Sequence, residues 1–167
     1  MSLLYIDISE FENKGYEKNT LDSAKIWNKR IDSLFQSTLG AHLNSIDNRN
    51  GEAASGGTIL SAAQIFGEIQ PGSAPNGFIF EYGYLPIWTS VGGNSLVYSL
   101  SDGFFYWADH SVFNNENKIM VQKSDEELDY SAENIKSALI LFSKSDPKDF
   151  ISDLKNGIHE NELDKLD

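Results

Sequence analysis

Between Pro86 and His110 the chain runs through three apolar stretches broken by two glycine turns, and this pattern leaves few folds open. Leu96, Tyr98 and Leu100 alternate with Val97 and Ser99, the two-residue period of a pleated strand. Asp102-Gly103 follows, then the aromatic run Phe104-Phe105-Tyr106-Trp107. Asp-Gly between two such runs predicts a hairpin, because both residues tolerate the positive φ of a type I′ turn. Gly92-Gly93-Asn94 has the same permissive chemistry one strand earlier. The segment therefore reads as an antiparallel meander, with Gly92, Gly93, Asn94 and Gly103 as its structural turn residues.

The rest of the chain supplies helices around that sheet. Residues 1–19 mix apolar and charged positions without a period and read as a poorly ordered arm or a short strand. Thr20 is a suitable N-cap for a helix whose stripe is Ile26, Trp27, Ile31, Leu34 and Phe35, closed at Gly40. Residues 44–57 read as a polar loop. Thr58 to Ile69 fits a short buried helix or a strand equally well. Pro71 to Gly77 has the composition of a long turn. Phe78, Phe80 and Tyr82 alternate as a first sheet strand would, and Ile119-Met120-Val121 adds another. Asp125 to Asp129 reads as an acidic connector. Ser131 caps a helix carrying Ile135, Leu139 and Phe142, and Asp146-Pro147 opens one presenting Phe150, Leu154 and Ile158. Residues 159–167 form an acidic tail, helical or frayed. The expectation is one α+β domain over residues 1–167, a mostly antiparallel sheet with N-terminal and C-terminal helices packed largely on one side.

Charge narrows the function. There are 13 Lys and Arg against 25 Asp and Glu, a formal net charge of −12, and no basic residue lies between Arg49 and Lys118. Nucleic acid needs a basic footprint, so its binding by this sheet is disfavoured, as is an anionic membrane surface. A basic protein partner is favoured instead. The chain has no cysteine, hence no disulfide frame, thiol nucleophile or cysteine zinc site. Its start lacks the basic and apolar regions of a signal peptide, and no stretch is long enough to span a membrane. A soluble cytoplasmic domain is expected.

Candidate chemistry is sparse. Gly51 to Thr58 has phosphate-loop spacing with glycine where the lysine should stand, which removes the charge that the phosphates need. A flexible loop is the better reading. Asp102, Asp109 and His110 suggest a metal or acid–base cluster, yet Asp102 is accounted for by its turn. His42, His110 and His159 have no ligand spacing between them. Glu81, read within the first strand, would pair with Asp109 for glycoside hydrolysis only across a cleft. No serine stands in a nucleophile elbow. The sequence thus predicts no catalytic residue, no cofactor and no metal.

Aromatics are the dense feature. Of 20 in the chain, 11 fall between Phe78 and Phe113. Phe104 and Tyr106 point to one side of their strand, Phe105 and Trp107 to the other, so both faces must be covered or one left as a patch. Tyr84 and Trp88, flanking Pro86, are the expected partly exposed rings. Together with Glu81, Asp102 and Asp109 they form the candidate partner-binding set.

The order Gly92-Gly93-Asn94, Val97-Tyr98-Ser99-Leu100, Gly103 and Trp107-Ala108-Asp109-His110 resembles the SUKH superfamily, in its branch related to the yeast regulator of cell-wall glucan synthesis. The match covers about Phe78 to Phe113. Many members carry an acidic residue at the position of Ser99, so no role for that carboxylate carries over. The resemblance implies a non-enzymatic, immunity-type protein that binds and neutralises a polymorphic, nuclease-like toxin domain. The runner-up that it admits is a scaffold or regulatory module in cell-wall synthesis or signalling. A carbohydrate-directed enzyme is permitted by the aromatics and opposed by the missing catalytic set.

Overall fold

The structure is a computed structural model and describes residues 8–13, 15, 18–35, 40, 46, 50–70, 75–114, 116–121, 124 and 126–167. Its centre is a six-stranded antiparallel sheet in the order β1-β2-β3-β4-β5-β8. The strands are β1 (Glu52–Ala54), β2 (Gly57–Ile59), β3 (Tyr84–Ser90), β4 (Ser95–Ser99), β5 (Phe105–Ala108) and β8 (Ile140–Ser143). A separate ribbon pairs β6 (Lys118–Val121) with β7 (Glu126–Asp129). The helices are α1 (Ile8–Asn13), α2 (Lys18–Phe35), α3 (Ala62–Glu68), α4 (Asn76–Ile79), α5 (Ala132–Ala138), α6 (Pro147–Lys155) and α7 (Glu160–Leu166). Among the described residues no helix is long and apolar enough to cross a membrane. The α+β class and the antiparallel meander are as the sequence predicts.

Both faces of the sheet are covered, which answers the question raised by the aromatic run. On one face Leu85, Ile87, Trp88, Leu96, Phe105 and Trp107 pack with Trp27 of α2, Ile65 of α3, Phe150, Ile151 and Leu154 of α6 and Leu163 of α7. On the other, Tyr84, Val97, Tyr106 and Ala108 pack with Ile119 of the ribbon, Ile135 of α5 and Leu139. The tail read as helical or frayed is thus a packed helix.

Caps and turns explain where several elements begin. Ser61 and Gln64 form a reciprocal capping box on α3, with bonds of 3.2 and 3.0 Å. Ser131 accepts from the Asn134 amide at 3.1 Å, and Asp146 from that of Lys148 at 2.9 Å ahead of Pro147. Gly93 (φ +92°) closes the β3–β4 turn, its N–H donating to the Ser90 carbonyl at 3.2 Å.

Several expectations are corrected. Phe78 to Tyr82 is not a strand: α4 runs into a 3-10 turn over Phe80–Tyr82, ended by Gly83 at φ +94°. Asp102-Gly103 is not a type I′ turn, since only Gly103 (φ +77°) has positive φ in a longer loop closed from Ser99 to Phe104. The turn with two positive φ values is Ser55-Gly56, inside the segment read as a loop; it joins β1 to β2. Thr58 to Ile69 contains both a strand and a helix, and the acidic connector is β7. Leu139 and Phe142 do not lie on α5, which ends at Ala138; Phe142 belongs to β8. Ile158 lies beyond α6 and is exposed. Thr20 falls within α2, which starts at Lys18, and residues 8–13 are helical. The side chains of Thr20, Ile31, Leu34 and Phe35, the 36–39 link to Gly40, residues 71–74 and His42 lie outside the described residues.

Candidate functional site

The two sequence motifs at one end of the meander come together in space. The Asn94 side chain accepts from the His110 backbone N–H at 3.0 Å and lies 2.7 Å from His110 Nδ1. Its Nδ2 donates to Asp167 Oδ1 at 2.9 Å, and the Ser90 hydroxyl donates to the same oxygen at 2.6 Å. Because Nδ2 is spent on a carboxylate, Oδ1 is the acceptor toward His110, and Nδ1 therefore carries the proton. A Cβ at Gly92 would stand 3.0 Å from Asp167 Oδ1, so the glycine keeps this approach open. The arrangement ties the β3–β4 turn to the end of β5 and to the segment after α7.

Asp109, next to His110, turns its carboxylate to the Ser111 amide (2.9 Å) and hydroxyl (2.7 Å), starting the 3-10 turn His110–Val112. His159 forms a three-ring cluster with Phe142 and Phe150, with Nε2 3.8 Å from Asp153. Among the described residues no three His, Asp or Glu side chains are grouped to hold a metal.

The five candidate partner-binding residues separate into three environments. Tyr84 and Trp88, expected to be partly exposed, are only 7 % and 1 % exposed. The reason for Trp88 is a bulge: Pro86 pairs with Val97 and Trp88 with Leu96, leaving Ile87 as the extra residue. Ile87 and Trp88 therefore enter the same core, where the indole packs 6.3 Å from that of Trp107 and donates to the Ala54 carbonyl at 2.9 Å. Tyr84 stacks edge-on against Tyr106 at 6.1 Å, and burial, then the Asp102 charge, pushes its phenol up.

Glu81 and Asp102 are exposed and lie at the same end of the sheet, where the Leu100 amide donates to the Gly83 carbonyl at 2.8 Å. Asp102 accepts from the Phe104 amide at 2.9 Å and from the Tyr106 hydroxyl at 2.6 Å. Burial acts to raise its carboxyl, but those two bonds, a third from Ser99 and the charge of Lys136 outweigh it and hold it below the ordinary value. Asp109 is at the opposite end of β5.

Two concave surfaces flank the β6–β7 ribbon. The first is an apolar groove of about 540 Å³ whose lining includes Trp107, Val112, Val121 and Leu128, with Asp109 as its one ionisable group among the described residues. Cross-strand pairing of Glu126 with Val121 puts that carboxylate on the same ribbon face. The second, about 280 Å³, brings Glu81 and Tyr82 together with Glu116, Asp129 and the rings of Phe78 and Tyr130. Lys118 pairs with Asp129, and among the described residues no Lys or Arg lines the pocket. Asp129 is already paired with Lys118 and Glu81 feels the charge of Arg30, so a further ammonium or guanidinium group would be met chiefly by Glu116, with Glu81 and the aromatic faces beside it. Tyr82, Glu116, Asp129 and Tyr130 were not singled out from the sequence. The adjacency of Tyr82 to Glu81 was a legible signal; the return of β7 beside that turn was not. Searches of protein-family models, curated proteins and solved structures find no match to this chain.

Proposed function

We propose that this chain is a non-catalytic, cytoplasmic, protein-binding domain of the immunity type suggested by its SUKH resemblance, which neutralises a basic, nuclease-like toxin domain. The observation that supports this is the acidic, ring-lined pocket of Glu81, Glu116 and Asp129 together with the apolar groove, the β6–β7 ribbon contributing lining residues to both. A cleft built for phosphates presents Lys and Arg, and such side chains match the pocket in charge and shape. The apolar groove supplies area that a nucleic acid would not use. A net charge of −12 speeds encounter with a basic surface at low salt.

The test is to read the genes flanking this chain, and to measure co-expression with and binding to any toxin domain encoded there. The expected result is rescue of growth and a stable complex whose association slows as salt rises. Glu81→Gln with Glu116→Gln should slow association about tenfold, since rim charges act mainly on the encounter. Absence of a complex, or association indifferent to both salt and the double substitution, overturns the reading.

A further inference from the structure

β8 is the outermost strand on its side of the sheet, and among the described residues no strand pairs with its outer edge. Ile140 and Leu141 are 51 % and 46 % exposed. Consecutive residues of a strand point to opposite faces, so two neighbours exposed together cannot result from one open face. Their partners across β5 confirm this: Trp107, opposite Ile140, and Tyr106, opposite Leu141, are 1 % and 6 % exposed in the two different cores. Both faces are sealed one strand inward. Among the described residues no strand lies alongside, and a further strand would cover both side chains at once.

We propose that β8 is a docking edge to which an extended, basic segment of a protein partner adds as a seventh strand, a proposal that rests on the protein-binding reading above. The charge around the edge selects that occupant. Asp109 and Ile140 line the same groove, and Glu126 shares the ribbon face that borders it. Glu133 stands one turn from Ser137 on the groove side of α5. Of the described nearby cations, Lys144 is held over the Phe104 ring at 5.3 Å, Lys136 lends its charge to Asp102, and Lys165, beside the groove-lining Leu166, is flanked by Asp164 and Asp167. An incoming strand meets carboxylates at the groove end, so alternate basic side chains are favoured there. A second copy of this chain would bring another −12 charge to the same edge and is disfavoured.

The probe is a ten-residue peptide alternating lysine and valine, compared with the same peptide carrying N-methyl groups on alternate amides, which keeps the charge and removes strand pairing. Amide exchange of the protein is followed by NMR. The first peptide is expected to slow exchange in Ile140–Ser143 about tenfold, and to leave Glu52–Ala54 unchanged. Leu141→Pro, at an exposed edge position, should abolish that protection while acid-pocket shifts persist. Equal binding of the methylated peptide, or protection elsewhere only, overturns the proposal by reducing the contact to charge. Concentration-dependent dimerisation of the protein alone, abolished by Leu141→Lys, overturns it by giving the edge to a second copy. A toxin complex without peptide protection removes this proposal and keeps the function; protection without any toxin complex does the reverse.

Discussion

The two edges of the sheet are built on opposite terms. β1 is Glu-Ala-Ala, a run with little strand preference, and it is held by tertiary bonds. The Trp88 indole donates to the Ala54 carbonyl, the Ser55 hydroxyl to the Leu154 carbonyl at 2.6 Å, and Glu52 pairs with Lys155 at 3.1 Å. Helix α6 thereby clamps that edge. β8 is Ile-Leu-Phe-Ser, apolar and rich in strand-compatible residues, and its outer side is free of strand pairing among the described residues. A weak strand is locked and a strong one left open. The open edge is therefore not a region that fails to fold. Natural edges are usually blunted by charge, proline, a bulge or a covering helix; β8 has no charge or proline along its own four residues, and its one irregularity is a bulge at Phe142, the extra residue between the Leu141–Tyr106 and Ser143–Phe105 pairs.

The largest effect should come from breaking the locked side. Trp88→Ala removes a fully buried indole, its packing on Trp107 and its bond to β1, and should cost about 3–5 kcal/mol. Ile140→Ser, at a half-exposed position on the open side, should cost about 0.5 kcal/mol or less. Urea unfolding midpoints of the two variants measure the contrast directly. Similar losses in both would show that β8 is held as firmly as β1.

The inner turns test whether the two edges belong to one cooperative unit. Gly93 and Gly103 have φ of +92° and +77°, values that a β-branched side chain resists. Gly93→Val or Gly103→Val should each destabilise by about 1–3 kcal/mol. Because β3, β4 and β5 join the edges, exchange rates in β1 and β8 should rise together in either variant. A response confined to β8 would make the open edge an independent unit of lower stability.

The same contrast explains what the sequence disclosed. The inner strands were legible because their alternation spans both cores and their turns carry glycine. β1 and β2 are three residues each, too short for a period, and their Ser55-Gly56 turn looked like part of a polar loop. β8 was hidden for a different reason: Ile135, Leu139 and Phe142 keep helical spacing although the helix stops at Ala138. Phe78, Phe80 and Tyr82 show the reverse, strand-like alternation in a segment that coils into helical turns. The site was less legible than the fold. Pro86 within a central strand was the available sign of the bulge that buries Trp88, since proline is tolerated there chiefly at irregularities. The meeting of Glu81 with Glu116 and Asp129 depends on how the ribbon returns, which no local pattern encodes.

The smallest effect concerns the strand beside the open edge. Tyr106 pairs with Leu141 of β8 and donates its hydroxyl to Asp102, so this bond steadies β5 from its loop end. The two groups titrate in opposite senses. Asp102 lies below its ordinary value in the folded state, so its contribution is present above the unfolded carboxyl pKa and lost as pH falls through the folded one. Tyr106 is pushed up to about 12, first by the bond to Asp102 and then by burial. Its contribution is present below the unfolded phenol pKa of about 10 and lost as pH rises toward the folded one. Tyr106→Phe removes the hydroxyl and keeps the ring. The stability gap between parent and variant should be widest near neutral pH, narrow in acid as Asp102 protonates, and narrow again in strong alkali. Carboxyl NMR should show Asp102 of the variant titrating higher than in the parent, while the Phe104 amide remains bonded to it. An unchanged Asp102 midpoint would mean that the turn alone holds the carboxylate, leaving β5 without this support next to its open neighbour.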